Sequence, residues 1–239
     1  MIGGSILRGE SRRIAVLGAF GVLATVVAAN LTRRAALGQD TRERDLALIE
    51  AAGRGDLAGI DALLTQRASV TARGSNGVTA LIAAAYRNHL DIAGRLIAAG
   101  ADVDVQDDTR QSAYLIATSE GYVELLDLTL AAGADVRRTD SYNGTGLIRA
   151  ADRGHVEIIR RLLATPIDVD HVNRLGWTAL LEAIILGDGG PRHAEVVRLL
   201  VAAGANVNIA DGQGVSPLAH TRRRGFAEIA AILERAGGK

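Results

Sequence analysis

Beyond residue 44 the apolar residues fall into short stripes at helical spacing, separated by clusters of Gly, Asn, Asp and Thr. Within residues 79–86, Leu81, Ile82, Ala84 and Ala85 form one stripe. From His89 onward Ile92, Leu96 and Ile97 form the next, at i, i+4 and i+5. Asn88-His89 leaves room only for a tight turn between the two helices. Gly100 stands where a left-handed residue closes the second helix. The Asp102-Val103-Asp104 tract and the Asn76-Gly77 type of cluster predict an extended turn between one helix pair and the next.

This arrangement returns every thirty-three residues. Leu81, Tyr114, Leu147 and Leu180 are one landmark, and counting back gives Leu48. A second is Gly55-Asp56, Asn88-His89, Gly121-Tyr122 and Gly154-His155. The third is the closing tract: Gly100-Ala101-Asp102-Val103-Asp104, Gly133-Ala134-Asp135-Val136, Pro166-Ile167-Asp168-Val169-Asp170 and Gly204-Ala205-Asn206-Val207-Asn208. Helices of eight to ten residues cannot bury both faces alone, so the pattern predicts a stack in which each pair completes its neighbour.

The residues that keep this period resemble the ankyrin repeat, whose pattern is Gly-x-Thr-Pro-Leu-His-x-Ala-Ala, then Gly-His, a Leu-Leu pair and Gly-Ala-Asp-Val-Asn. Gly176-Trp177-Thr178-Ala179-Leu180, Gly154-His155 and Gly204-Ala205-Asn206-Val207-Asn208 carry the match most fully. The resemblance implies an all-α solenoid of about six stacked helix pairs joined by extended turns. Its domain would span residues 45–239, in units 45–73, 74–106, 107–139, 140–172, 173–210 and 211–238. The end units read as caps: the first carries Leu46-Ala47-Leu48-Ile49-Glu50 in place of Thr-Ala-Leu, and the last carries Arg222-Arg223-Arg224 on its inner helix. The family's Pro survives only as Pro217. Its His gives way to Ile82, Leu115, Ile148, Leu181 and Ala219, so the hydrogen bonds of that His are lost. Unit five holds five extra residues near Asp188-Gly189-Gly190-Pro191-Arg192, expected as a surface loop between its helices.

The first thirty-eight residues are patterned differently. Ile14 to Ala29 is an uncharged, almost wholly apolar run behind Arg8, Arg12 and Arg13. That is the layout of a secretory signal peptide. Residues 1–38 are therefore expected to be a signal peptide or an uncleaved membrane anchor, with 39–44 a short linker. Ala36-Leu37-Gly38 suits cleavage before Gln39, and Val27-Ala28-Ala29 suits it less well. Extension through Asn30-Leu31-Thr32 brings residues 14–32 close to a membrane-spanning length. Ser11-Arg12-Arg13 is similar to the opening of a twin-arginine signal, although Ala15 and Val16 stand where that signal has Phe and Leu. Both the twin-arginine and the general secretory route stay open. The expected location is the periplasm, or the inner membrane facing it.

Composition narrows the chemistry. Hydrophobic residues are 48% of 239, aromatics only 3%, so Ala, Leu, Ile and Val must fill the core. Cysteine is absent, which removes disulfides and thiolate chemistry. The formal charge is zero overall. Five Arg and one acid lie in residues 1–38, which leaves 22 basic and 26 acidic residues beyond them, a formal −4 that argues against nucleic acid. All but one of the basic residues are Arg, a bias read as GC-rich coding and a bacterial source. His89, His155 and His193 are expected at helix–helix turns, and no H-x-x-x-H or H-E-x-x-H spacing occurs, so no metal site is expected. Asp102, Asp104, Asp107 and Asp108 read as turn acids, without the calcium-loop pattern. No nucleophile elbow or phosphate loop is present, so neither catalysis nor a cofactor is expected.

Binding remains. In ankyrin proteins partners meet the turn tips and the exposed side of the inner helices, a concave face. Carried onto this sequence, those positions are Asn76, Val78, Tyr86 and Arg87 in unit two, and Thr109 and Gln111 in unit three. Unit four gives Tyr142, Asp152 and Arg153, and unit five gives Arg174 and Trp177. Ser119 and Glu120 fall on the same face, as does Ile185. Tyr, Trp and Arg are the types enriched at interface hot spots. The expected function is non-catalytic binding of a protein partner. The expected alternatives are an inner-membrane-anchored scaffold and, behind it, an enzyme or small-ligand protein using the loop of unit five.

Overall fold

The computed structural model describes residues 37–239. The apolar run 14–32 and most of the expected signal segment lie outside the described residues. No described helix is long and apolar enough to cross a membrane. The chain divides between Asp45 and Leu46. Residues 37–45, which include the stretch 39–44 expected as a linker, are helical and largely exposed. Local bonds account for that: the Thr41 hydroxyl donates to the Leu37 carbonyl at 2.9 Å, and Arg44 lies 3.9 Å from Asp40 one turn away.

Residues 46–239 form six helix pairs. The first helix of each pair is α1 (46–54), α3 (Ala80–Tyr86), α5 (Ala113–Glu120), α7 (Gly146–Asp152), α9 (Ala179–Ile185) and α11 (Pro217–Arg224). The second helices are α2 (Leu57–Thr65), α4 (Leu90–Ala98), α6 (Val123–Ala131), α8 (Val156–Leu163), α10 (Pro191–Ala202) and α12 (Ala227–Arg235). Among the described residues there is no strand, only an isolated bridge between Thr139 and Thr145 in one connecting turn. First helices pack on first helices, α3 on α5, α5 on α7, α7 on α9 and α9 on α11. Second helices form a parallel layer behind them. This is the helical solenoid the period predicts.

Burial follows from the stacking. In α5 all residues from Ala113 to Ser119 are buried, because a pair lies on either side. In α11 only Pro217, Leu218 and Thr221 are buried, and Arg222, Arg223 and Arg224 are exposed. Each inner helix from α3 onward starts on a hydroxyl cap. Thr79, Ser112, Thr145, Thr178 and Ser216 accept from the backbone N–H three residues on, in Ile82, Leu115, Ile148, Leu181 and Ala219. The second helices are zipped across units by exposed ion pairs. Arg95 meets Asp61 at 2.5 Å and Arg161 meets Asp127 at 2.8 Å, while Arg160, Glu195, Arg198 and Glu228 run as one chain. Each such exposed pair contributes little alone.

Rings from the following unit cover several of the turns before second helices. A β-carbon on Gly121, at φ 76°, would stand 2.8 Å from the His155 ring, and one on Gly154 would stand 3.2 Å from His193. His155 Nε2 lies 3.1 Å from the Ser119 carbonyl and His193 Nε2 lies 3.0 Å from that of Asp152. Burial lowers the pKa of His155. His193, expected in the turn, sits instead in the first turn of α10. The reason is the insertion, which is part loop and part helix: Leu186 to Gly190 connect the helices, while Pro191 and Arg192 begin α10. Pro191 occupies the first helical position, where its missing N–H costs nothing. The loop is tied down. Asp188 is 2.8 Å from His193 Nδ1, the Arg224 guanidinium donates to the carbonyls of Ile185 and Gly187, and that guanidinium lies 4.7 Å over the Phe226 ring.

One core position departs from the repeat. Tyr114 replaces the landmark leucine and is fully buried, and its hydroxyl has no hydrogen-bond partner. Gly146 makes room for it: a β-carbon there would stand 2.5 Å from that hydroxyl and 2.9 Å from Thr118 Cγ2. The equivalent residues Ala80, Ala113 and Ala179 follow units whose landmark residues are Leu48, Leu81 and Leu147 rather than a tyrosine. Removal of the orphan hydroxyl in Y114F is expected to raise stability by about 1 kcal/mol. G146A is expected to destabilise, and to do so less in the Y114F background than in the parent. Urea unfolding of the four proteins in this cycle measures the coupling, and strictly additive effects would contradict the fit described.

Candidate functional site

The turns between units are built alike. In four of them a side-chain oxygen closes the tip by accepting two backbone N–H groups. Asp107 Oδ1 takes those of Thr109 and Gln111, and Asp140 Oδ1 takes those of Tyr142 and Gly144. Asn173 Oδ1 takes those of Leu175 and Trp177, and Asp211 Oδ1 those of Gln213 and Val215. The same residues donate their own N–H across the tip, to the carbonyls of Gln111, Gly144, Trp177 and Val215. Gly74 occupies the place in the earliest of these turns and closes it by backbone alone, onto Val78. Neighbouring tips are also joined. Asp108 N–H donates to the Asn76 carbonyl and Arg174 N–H to that of Tyr142, both at 2.9 Å. Gln106 donates to the Thr139 carbonyl and the Arg174 guanidinium to that of Ser141. The tips form a continuous ledge.

The other atom of each closing side chain faces an inner helix. Nine residues after Asp140, Asn173 and Asp211 come Arg149, Glu182 and His220. Arg149 lies 3.3 Å from Asp140 Oδ2, Asn173 Nδ2 donates to Glu182 Oε1 at 2.7 Å, and His220 Nε2 is 2.7 Å from Asp211 Oδ2. In unit three that position is Ile116, and the Tyr86 hydroxyl of the preceding unit donates to Asp107 Oδ2 instead, at 2.9 Å. Burial opposes the charge of Asp107. The hydrogen bonds from Thr109, Gln111 and Tyr86 outweigh that and hold its carboxyl below the usual range. Backbone bonds from Val215, together with His220, do the same for Asp211.

Between units four and five the inner helices and tips leave a cavity of about 140 Å³. Tyr142, Leu175 and Leu186 line it, and all three are large apolar side chains left exposed. Asp140, Arg149, Asp152, Asn173 and Glu182 supply its polar lining. Glu182 is buried, at 5% exposure. Burial first, and then the charge of Asp152, push its carboxyl up to about 7, against the pull of Asn173 and Arg149.

The residues expected to bind a partner separate into two groups. Arg87, Tyr142 and Arg174 are exposed, as are Asn76, Thr109 and Arg153, while Val78, Gln111, Asp152 and Trp177 are partly covered. Several are committed to the scaffold. Tyr86 bonds Asp107, Thr109 bonds the same carboxylate, Arg174 holds the neighbouring tip, and Arg153 lies 3.6 Å from Glu120. The Arg87 and Asp152 side chains make no hydrogen bond or ion pair among the described residues. Ser119 does not belong to the exposed face: it is buried in α5, where its hydroxyl donates to the Ile116 carbonyl. Tyr142 and Asp152 alone of the expected eleven reach the cavity. Arg149, Glu182 and Leu186 escaped sequence reasoning. The signal was there in Glu182, a lone charge in the apolar helix Ala179-Leu180-Leu181-Glu182-Ala183.

Comparison with known proteins agrees with this geometry. A family model for ankyrin repeats in three copies matches residues 19–107 and 114–211. The chain belongs to the ankyrin repeat family. It is 47% identical over 57 residues to the putative ankyrin repeat protein YahD of Escherichia coli (strain K12), a match that spans 24% of this chain and 28% of that protein. An ankyrin repeat domain from Acinetobacter baumannii AYE superimposes with a TM-score of 0.78 at 48% identity, covering 80% of this chain and 98% of that one. The ankyrin repeat protein EF0377 gives 0.76 at 33% identity, covering 79% and 96%. The human ASB11 ankyrin repeat domain gives 0.69 at 26%, covering 80% and 84%. Ankyrin repeats generally mediate protein–protein interaction, and this family and its neighbours are typically non-enzymatic scaffolds.

The raised pKa of Glu182 has a consequence for stability. The folded protein holds this proton more tightly than the unfolded chain, so folding takes up a proton between pH 4.5 and about 7. Stability contributed by the protonated carboxyl is full below that window and is lost as pH rises through it, by up to about 3 kcal/mol. E182Q keeps an acceptor for Asn173 and removes the titration. Urea unfolding at about pH 5 and about pH 8 should give a smaller difference for E182Q than for the parent. An unchanged difference would place the titration elsewhere.

Proposed function

We propose that the protein is a non-catalytic binding module that holds a protein partner on its concave ankyrin face, formed by the turn tips and inner helices. The observation that carries this reading is an asymmetry between the two faces. The second helices are closed off by ion pairs across units. The tips and the ends of the inner helices leave Tyr86, Tyr142, Val172, Leu175 and Leu186 exposed, at 42 to 59%, whereas the second helices expose only Leu57 among the described large apolar residues. Large apolar side chains grouped on one face of a fixed scaffold are the mark of an interaction surface. The ledge of joined tips keeps them in register, so little ordering accompanies binding. Combined replacement of Tyr86, Arg87, Tyr142 and Trp177 by alanine should abolish capture of the partners that the parent protein retains. Retention of every partner would remove this surface from the account.

The location is proposed from the sequence: export to the periplasm on the strength of the basic residues 8–13 and the apolar run 14–29. The second reading, an inner-membrane scaffold anchored by residues 14–32, rests on the same run extended to the length of a short span. Intact mass separates them. A soluble periplasmic species beginning near Gln39 or Asn30 is expected for cleavage. A full-length chain that stays with the membrane through alkaline extraction would establish the anchor. Full-length soluble protein in the cytoplasm would contradict both.

A further inference from the structure

We propose that the cavity between units four and five receives one basic side chain, arginine or lysine, of the bound protein. This rests on the protein-binding reading above and goes further by assigning the chemistry of the partner.

Two carboxylates at this cavity have capacity that the chain itself does not use. Glu182, buried at 5% exposure, spends Oε1 on Asn173, and its Oε2 takes no hydrogen bond. Asp152, on the facing helix α7, makes none with its carboxylate. Asp140 is different: Oδ1 is held by the N–H groups of Tyr142 and Gly144, and Oδ2 faces Arg149. The single cation lining the cavity is therefore already opposed, and three acidic side chains face one guanidinium. No other turn leaves this imbalance. The second oxygen of Asp211 meets His220, and that of Asp107 meets the Tyr86 hydroxyl.

Glu182 is met only by the Asn173 amide and by no cation that is free of another acid, and a cation brought to a buried carboxyl relieves the cost of ionising it. The rim fits the rest of the side chain. Tyr142, Leu175 and Leu186 offer an apolar wall for the methylene stem, while the charged head reaches the acids beneath. The Tyr142 ring adds a π-face of the kind guanidinium and ammonium groups favour. A nucleic-acid backbone would be repelled by the same carboxylates. The cavity, at about 140 Å³, has room for one side chain rather than for a folded element.

The test is selection of a random displayed peptide library on the full chain, followed by affinity measurements on four proteins: the parent, E182Q, D152N and a Y86A/W177A variant. Circular dichroism establishes that each is folded. Peptides should share an Arg or Lys at one position. Exchange of that residue for citrulline or norleucine should weaken binding about tenfold or more, and E182Q and D152N should each lower affinity for the basic peptide but not for the exchanged one. Peptides lost with Y86A/W177A that lack a shared basic residue and bind E182Q and D152N as well as the parent would overturn the cavity assignment and leave the protein-binding reading standing. Absence of any peptide dependent on either set would overturn both.

Discussion

Every feature of this molecule depends on the fact that a helix pair of this size cannot close its own core. Leu81, Ile82, Ala84 and Ala85 of α3 are buried among their own partner α4 and the next unit's α5, and α5 in turn packs on α7. The energy is a nearest-neighbour energy. It explains why Ala113 to Ser119 are all buried in the middle of the stack, and why α11 at its end ends in three exposed arginines. It also explains the pairing of Tyr114 with Gly146. A large residue in one unit is accommodated by a missing methyl group in the next, so a change in size is shared across the interface rather than absorbed within a unit.

The same geometry builds the face of turn tips and inner helices. Every turn after the earliest is closed by a side chain with two polar atoms, one turned to the backbone of its own tip and the other to an inner helix. What meets the second atom varies: a tyrosine hydroxyl for Asp107, Arg149 for Asp140, Glu182 for Asn173 and His220 for Asp211. The scaffold is constant and the chemistry facing the groove is not. Between units four and five the combination of Asn173 with Glu182, beside Asp152, produces a buried acid whose proton affinity is raised and whose outer oxygen is unused. In this protein the repeat supplies a rigid frame, and the residue that meets each closing side chain, nine positions on in three turns and Tyr86 in the fourth, supplies its local character.

The solenoid was legible in the sequence because its signal is periodic. Leu81, Tyr114, Leu147 and Leu180 repeat whatever the partner, and Gly121-Tyr122 and Gly154-His155 mark the turns in step. The insertion was legible as extra length but not as a helix start, since only the packing of His193 and Arg224 shows where the loop ends and α10 begins. The face was legible in part. Tyr142 and Arg87 are exposed as their register predicts, whereas Ser119 is buried, because α5 is enclosed by helices on both sides. The cavity was not legible. It joins Asp140 and Arg149 to Asn173 and Glu182, residues of different units that come together only through stacking, and periodicity carries no record of which polar side chains meet.

The central claim is that this protein acts through the face of turn tips and inner helices and not through the layer of second helices behind it. The direct measurement is site-specific photocrosslinking in the producing cell, with a photoreactive phenylalanine at Tyr142 in one protein and at Arg160 of α8 in another. The account predicts protein adducts from position 142 and none of comparable yield from position 160. Equal adducts from both, or adducts from position 160 alone, would contradict it.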